Sequence, residues 1–193
     1  MRRAVAILVV ALTAAACGSD GPATAAPSVT SPSQGPPAPP QQEGGPISFS
    51  GLAGEDTPVT TYTESGFTVT TTAGTWVVGA NYGNPRPFIR FKAPGGTTAT
   101  GELQVTDGGG TFTFTSVDVY SSTTPIPYAI TGLRNSAVVF QLTGTVPNTF
   151  GQFRTVTSPS HSGVIDTLKI SLTNAAAPCC PNPMGVDNIS VAR

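Results

Sequence analysis

The residues best suited to chemistry in this sequence are Asn81, Tyr82, Asn84 and Arg86, which fall together in the segment WVVGANYGNPR at 76–86. A sugar is held by a flat aromatic face against its C–H groups and by amides or a guanidinium against its hydroxyls. These four residues supply all of those groups within one Gly-rich loop, and they form the candidate glycan site. A blander reading stands beside it, because Tyr-Gly-Asn-Pro is good turn chemistry without any ligand. Trp76 reads as a core residue. Tyr120 and Tyr128 flank another loop and offer further aromatic faces, with amphipathic rim residues as the blander reading.

Catalytic chemistry is poorly supplied. His161 is the sole histidine, in the polar loop SPSHS at 158–162, and no cysteine or carboxylate is spaced from it as a triad would need. A retaining glycosidase requires two carboxylates about 5 Å apart. Glu102, Asp118 and Asp166 sit on different expected strands, and no Glu-x-Asp-x-Glu strand is present. The expectation is therefore a domain that binds and does not catalyse.

Cys179 and Cys180 are adjacent. Across a trans peptide their Cα atoms stand about 3.8 Å apart, below the usual disulfide range of roughly 4.4–6.8 Å. A vicinal bridge between them would be strained and would stiffen its loop rather than cross-link the fold, as Pro178, Pro181 and Pro183 do by fixing φ. A platform for a sugar face, redox sensing, free thiols and an intermolecular bridge are the other readings. Asp187 shares strand parity with Ile189 and Val191, so it is expected to point inward among apolar neighbours. An unpaired carboxylate there costs several kcal/mol or takes up a proton; one that caps a turn by accepting backbone N–H bonds does not.

These residues need a scaffold, and its period is two throughout. Ile47 and Phe49 alternate with Ser48 and Ser50, and Phe67 and Val69 with Thr68 and Thr70. Leu103 and Val105, then Val138, Phe140, Leu142 and Val146, then Leu168, Ile170 and Leu172 continue the one-sided stripes. Strict alternation predicts strands with one dry and one wet face. Turn signals at Pro94-Gly95-Gly96, Asp107 to Gly110 and Pro147-Asn148 separate them. The predicted fold is all-β, a two-sheet antiparallel β-sandwich of the jelly-roll type. In 111–120 the apolar parity slips from Phe112 and Phe114 to Val117 and Val119, which predicts a β-bulge near Thr115-Ser116 or, failing that, a central strand buried on both faces. Only 10% of the 193 residues are charged, the formal net charge is −1 and no basic run exists, which argues against a nucleic-acid or anionic-membrane partner.

The N-terminal segment divides as an export signal should: Met1-Arg2-Arg3 is positive, Ala4 to Leu12 is apolar, and Thr13 to Ala16 are small. Cys17-Gly18-Ser19 follows, and the run resembles a bacterial lipobox, although Ala14 stands where that pattern usually has leucine. The resemblance implies a signal peptide at 1–16 and a diacylglyceryl anchor on Cys17. An ordinary secretory signal cut near Ala16 is the alternative; the apolar run is short of the roughly 20 residues that span a bilayer. Segment 17–45 is rich in Pro, Ala, Ser and Gly and lacks aromatics, so it reads as a disordered tether. One domain then occupies 46–193. The expected address is the outer membrane or cell surface, with the lipid as the sole membrane contact and the domain monomeric.

Several stretches are familiar together: ISFSGL at 47–52, TYTESGFTV at 61–69, FTSVDVY at 114–120 and GVDNI at 185–189. They resemble an uncharacterised group of secreted bacterial β-sandwich ectodomains, similar in fold to the galactose-binding-domain-like jelly rolls of carbohydrate-binding modules. The resemblance covers nearly all of 46–193. It implies a polysaccharide partner, with a surface protein or an adhesive, structural role as the alternative. It also implies that Asp187 helps ligate a structural calcium, with Glu64 or Asp56 and backbone carbonyls completing the oxygens.

Overall fold

The computed structural model of the chain describes residues 45–159, 163–174 and 182–193; Cys17, His161, Cys179 and Cys180, together with the expected signal 1–16, lie outside them. Eleven strands follow in order. They are β1 (Thr61–Glu64), β2 (Phe67–Ala73), β3 (Trp76–Gly79), β4 (Phe88–Phe91), β5 (Ala99–Thr106) and β6 (Thr113–Ser121). β7 (Ile126–Arg134), β8 (Ala137–Val146), β9 (Arg154–Thr157), β10 (Thr167–Asn174) and β11 (Met184–Ala192) complete them. One sheet has the order β1-β2-β5-β10-β7-β8 and the other β3-β4-β11-β6-β9, with every pairing of strands antiparallel. Two sheets with their apolar faces together make the predicted sandwich.

The tight hairpins are set by local chemistry. Ser65 and Gly66 between β1 and β2 both have positive φ (52° and 79°), as do Asn135 and Ser136 between β7 and β8 (49° and 66°). Two left-handed residues in succession are what a two-residue turn needs to match the twist of its strands.

The core lies between the sheets. Phe67, Val69, Leu103, Val105, Leu168, Ile170 and Leu172 enter from the larger sheet, and Trp76, Ile89, Phe91, Val119, Val186 and Ile189 from the smaller one; all are buried. Trp76 is a core residue as expected, its indole N–H donating to the Ala73 carbonyl at 2.9 Å. The outward face of the larger sheet is almost wholly hydroxyl and amide. Thr61, Thr70, Gln104, Lys169, Thr131 and Gln141 stand abreast across it.

The parity slip in β6 has the predicted cause. Between Ser190 and Val191 the register with β11 moves by one because Thr115 is extra on β6, and Phe112, Phe114, Val117 and Val119 all reach the core. A second insertion, on β11, falls between Asp187 and Ser190, where Asn188 has φ 44°. Asp187 is buried as expected, at 1% exposure, but shared parity with Ile189 is not the reason. Met184 and Val186 face the core before the insertion and Ile189 and Val191 after it, so Asp187 does not share the face of Ile189. Val138 also departs from its stripe. Val139 is an extra residue where β8 meets Leu133, and Val138 is turned out to 64% exposure.

On the outward face of the smaller sheet, Gly185 of β11 stands opposite Arg90 of β4 and Tyr120 of β6. A Cβ at Gly185 would lie 2.2 Å from Tyr120 Cε1 and 2.8 Å from Phe88 Cε2, so both rings occupy the space that a side chain would take. Gly185→Ala is expected to lower stability by about 1–3 kcal/mol through overpacking. Chemical denaturation would show a lower midpoint with an unchanged slope; an unaltered midpoint would mean that the rings do not pack there.

Candidate functional site

The same outward face carries a second, smaller apolar cluster. Phe88, Tyr120 and Phe153 meet edge-on in all three pairings, with ring centroids 5.0–5.2 Å apart. Tyr120 is fully buried in this cluster rather than at a rim, and burial pushes its phenol well above the usual range. Among the described residues its hydroxyl has no partner, and neither has the buried Nε of Arg90.

Loop 80–87 closes over this cluster. Both of its X–Pro bonds, Asn84–Pro85 and Arg86–Pro87, are cis. Glu55 holds the loop's start, its Oε2 accepting the backbone N–H of Ala80 and of Asn81. The Arg90 guanidinium anchors Glu55 in turn, donating from Nη2 to Glu55 Oε1 (2.7 Å) and to Asp56 Oδ1 (2.6 Å). Arg86 donates to the carbonyls of Ala80 and Asn81, both at 3.3 Å, so part of its donor capacity closes its own loop. Asn84 N–H donates to the Gly151 carbonyl at 3.2 Å, joining the loop to the β8–β9 connection.

The result is an exposed aromatic pair. Tyr82 is 48% exposed and Phe150, at φ 51°, is 72% exposed. Gly151 lets its backbone approach the Tyr82 ring, since a Cβ there would stand only 2.9 Å from it. Ser122 Oγ lies 3.5 Å from Tyr82 Oη, within reach of a weak hydrogen bond. Asn81, Asn84 and Arg86 are exposed on the same loop. The four residues singled out in the sequence are thus all exposed on one loop.

A cavity of about 630 Å³ lies on the same sheet, lined by Asp56, Thr75, Arg90, Lys92, Pro94 and Pro183 among others. The Lys92 ammonium is 3.7 Å from Asp56 and largely exposed, so it remains available to a ligand. Asn182 at the cavity edge is saturated. Its Oδ1 accepts from Thr123 N and Oγ1, both at 2.8 Å, and its Nδ2 donates to Ser121 Oγ and Thr124 Oγ1, both at 2.9 Å. Its work is to fix the β6–β7 connection that carries Ser122. Ser122 N–H donates to the Pro183 carbonyl at 3.0 Å, so the cavity rim and the Tyr82 face adjoin.

Glu55, Phe150 and Asn182 were not singled out in the sequence. Phe150 had a signal, an aromatic inside a turn sequence (PNTFG at 147–151) with no alternating partner. Glu55 and Asn182 had none, because their partners lie far along the chain.

The three carboxylates expected to serve calcium each have partners within the protein. Glu64 is spent on the N-terminal segment, accepting from Ser48 N (2.7 Å), Phe49 N (2.8 Å) and Ser48 Oγ (2.8 Å). Asp56 is paired with Arg90 and Lys92. Among the described residues no three acidic, histidine or cysteine side chains are grouped as a metal would require. Asp187 is 1% exposed, and its Oδ1 accepts the Asn188 N–H at 2.8 Å, the turn-capping arrangement.

Burial pushes the Asp187 carboxyl up to about 7, helped by the charges of Asp118 and Glu64 and opposed by the Asn188 N–H. The folded chain therefore keeps a proton that the unfolded chain releases above about pH 4. Its stabilising contribution is complete below that pH and is lost as the pH rises to about 7. Asp187→Asn is expected to match the parent in thermal midpoint below pH 4 and to exceed it above pH 7. A constant difference across that range would exclude Asp187 as the titrating group.

No protein-family model matches the chain, and no curated protein matches it. Solved structures similar to it include a family 29 carbohydrate-binding module, at 14% identity over 72% of this chain and 88% of that one, with a TM-score of 0.42. Another is a family 61 module in complex with β-1,4-galactotriose, at 9% identity over 66% of this chain and 88% of that one, TM-score 0.42. An arabinose-bound α-L-arabinofuranosidase is similar at 12% identity over 80% of this chain but 27% of that one, TM-score 0.45. These are loose likenesses of arrangement, and no ligand or residue role passes from them to this chain.

Proposed function

We propose that the domain is a non-catalytic glycan-binding module of the cell envelope, with Tyr82 and Phe150 as its sugar platform. The observation that carries this reading is two large aromatic side chains exposed on neighbouring loops, above a buried aromatic cluster that fixes one of those loops. An exposed ring costs free energy in water that a sugar's C–H face recovers. Asn81, Asn84 and Arg86 beside it offer amide and guanidinium groups to hydroxyls. The adjoining cavity adds proline walls, the Thr75 hydroxyl and the Lys92 ammonium, whose charge Asp56 offsets; this balance of charges favours a neutral polyhydroxylated ligand. An adhesive or structural role remains the second reading, supported by the bare hydrophobic area of Phe150.

A glycan array probed with the full chain tests the proposal. Binding is expected, and Tyr82→Ala or Phe150→Ala should each weaken it roughly tenfold, or ~1.4 kcal/mol. EDTA should leave it unchanged, since the acids that calcium would need are committed elsewhere. A blank array would favour the adhesive role, and binding indifferent to both aromatic changes would place the site elsewhere.

The anchor belongs to the same proposal. Cys17 is taken to carry a diacylglyceryl group that keeps the domain on the membrane surface, with the lipid supplying the membrane affinity. Mass spectrometry of the exported protein is expected to find the lipid on Cys17; an unmodified N-terminal peptide would remove the anchor from the account.

A further inference from the structure

The two sheets present four edges, and three of them are protected in familiar ways. β1 is a four-residue strand that ends in Glu64, and β9 is a four-residue strand that begins with Arg154. β3 is also four residues long and is covered, because segment 56–59 bonds to it through Asp56 N to Val78 O, Val78 N to Thr57 O and Val59 N to Trp76 O, each at 2.9 Å. Short length, charge and covering segments are the devices that keep sheet edges from pairing with other chains.

β8 lacks all three. It is ten residues long, AVVFQLTGTV, with no charged side chain and no proline. It pairs with β7 on one side only, and no other described segment bonds to its outer edge. The bulge at Val139 is confined to the hairpin tip; from Phe140 to Val146 the strand stays in continuous register with β7. Around that tip the surface is apolar. Val138 (64%), Val139 (42%) and Val164 (44%) are exposed together, and a Cβ at Gly163 would sit 2.9 Å from Val139 Cγ1.

We infer that β8 is an interface for a second copy of this chain, pairing antiparallel with its own symmetry mate to extend the six-stranded sheet across a two-fold axis. An isologous contact requires a surface that matches itself. The uncharged run does so in the register centred on Thr143. That register sets Phe140 opposite Val146 and Leu142 opposite Gly144 on the core side, with Gln141 opposite Thr145 on the wet side. No like charges meet at any position, which would otherwise be destabilising between directly opposed residues. Main-chain hydrogen bonds supply the attraction, as in strand addition generally, and the half-buried Phe140 and Leu142 lose their remaining exposure. This inference departs from the expectation of a monomer drawn from the sequence.

The test uses the full chain with Cys17→Ser, to prevent lipidation, in reductant so that no disulfide contributes. Light scattering coupled to size exclusion is expected to give twice the chain mass of 19.5 kDa, with a dissociation constant in the micromolar range or tighter. Thr143 is exposed on the wet face, so Thr143→Lys should leave the thermal midpoint of the monomer unchanged. It sets two ammonium groups opposite each other across the axis, and should weaken the dimer at least tenfold. Thr143→Cys should form a covalent dimer on oxidation of the same background. A monomer at all concentrations would overturn the inference, as would a dimer that Thr143→Lys does not weaken. Neither result touches the glycan reading, which rests on loop 80–87 and on Phe150 in the β8–β9 connection rather than on the outer edge of β8.

Discussion

Inward parity has to hold at once on β6 and β11, the adjacent central strands of the smaller sheet, and both carry an inserted residue in order to hold it. Thr115 is extra on one strand and a residue beside Asn188 on the other. With either insertion alone, the strands beyond it would lose step and one apolar stripe would face water. With both, Phe114, Val117, Val119, Val186, Ile189 and Val191 are buried together. The cost is concentrated at one place: Asn188 takes a left-handed conformation, and Asp187 is stranded in a buried position opposite Asp118.

The outer aromatic cluster follows from the same alignment. Gly185 falls in the row between Arg90 and Tyr120, and its missing side chain admits the Tyr120 and Phe88 rings. Those rings give loop 80–87 something apolar to lie on, and the Arg90–Glu55 bridge ties the loop's first amides down. The exposed Tyr82 is therefore mounted on a small core of its own. A mobile loop would lose conformational freedom on meeting a ligand; a loop already bonded at Ala80, Asn81 and Asn84 has less to lose.

Much of this was legible in the sequence because period-two alternation is a direct image of a half-wet strand. The stripes of β2, β5 and β10 point where the letters place them, and the slip between Phe114 and Val117 announced its bulge. What stayed hidden depends on partners distant in sequence. The β11 insertion changes no apolar spacing until Val186 is compared with Ile189, so parity alone does not place Asp187. Tyr120 looked like a rim residue because nothing nearby in sequence indicates that Phe88 and Phe153 will surround it. In the site, the loop residues were readable from composition alone. Glu55 and Asn182, which hold the loops in place, bond groups that chain folding brings to them from afar, and no local pattern marks such a residue.

The hydroxyl-covered outer face of the larger sheet bears on how this chain stays dispersed. Proteins commonly repel one another by net charge, and lose that protection near the isoelectric point or in concentrated salt. Here the wet face holds its water through threonine hydroxyls and glutamine amides, and its central ions, Lys169 and Glu102, neutralise each other at 3.2 Å. Hydration of that kind has no pH at which it vanishes and is not screened by counter-ions. The dispersion that this face provides is indifferent to swings of salinity and acidity, whatever Asp187 does to stability.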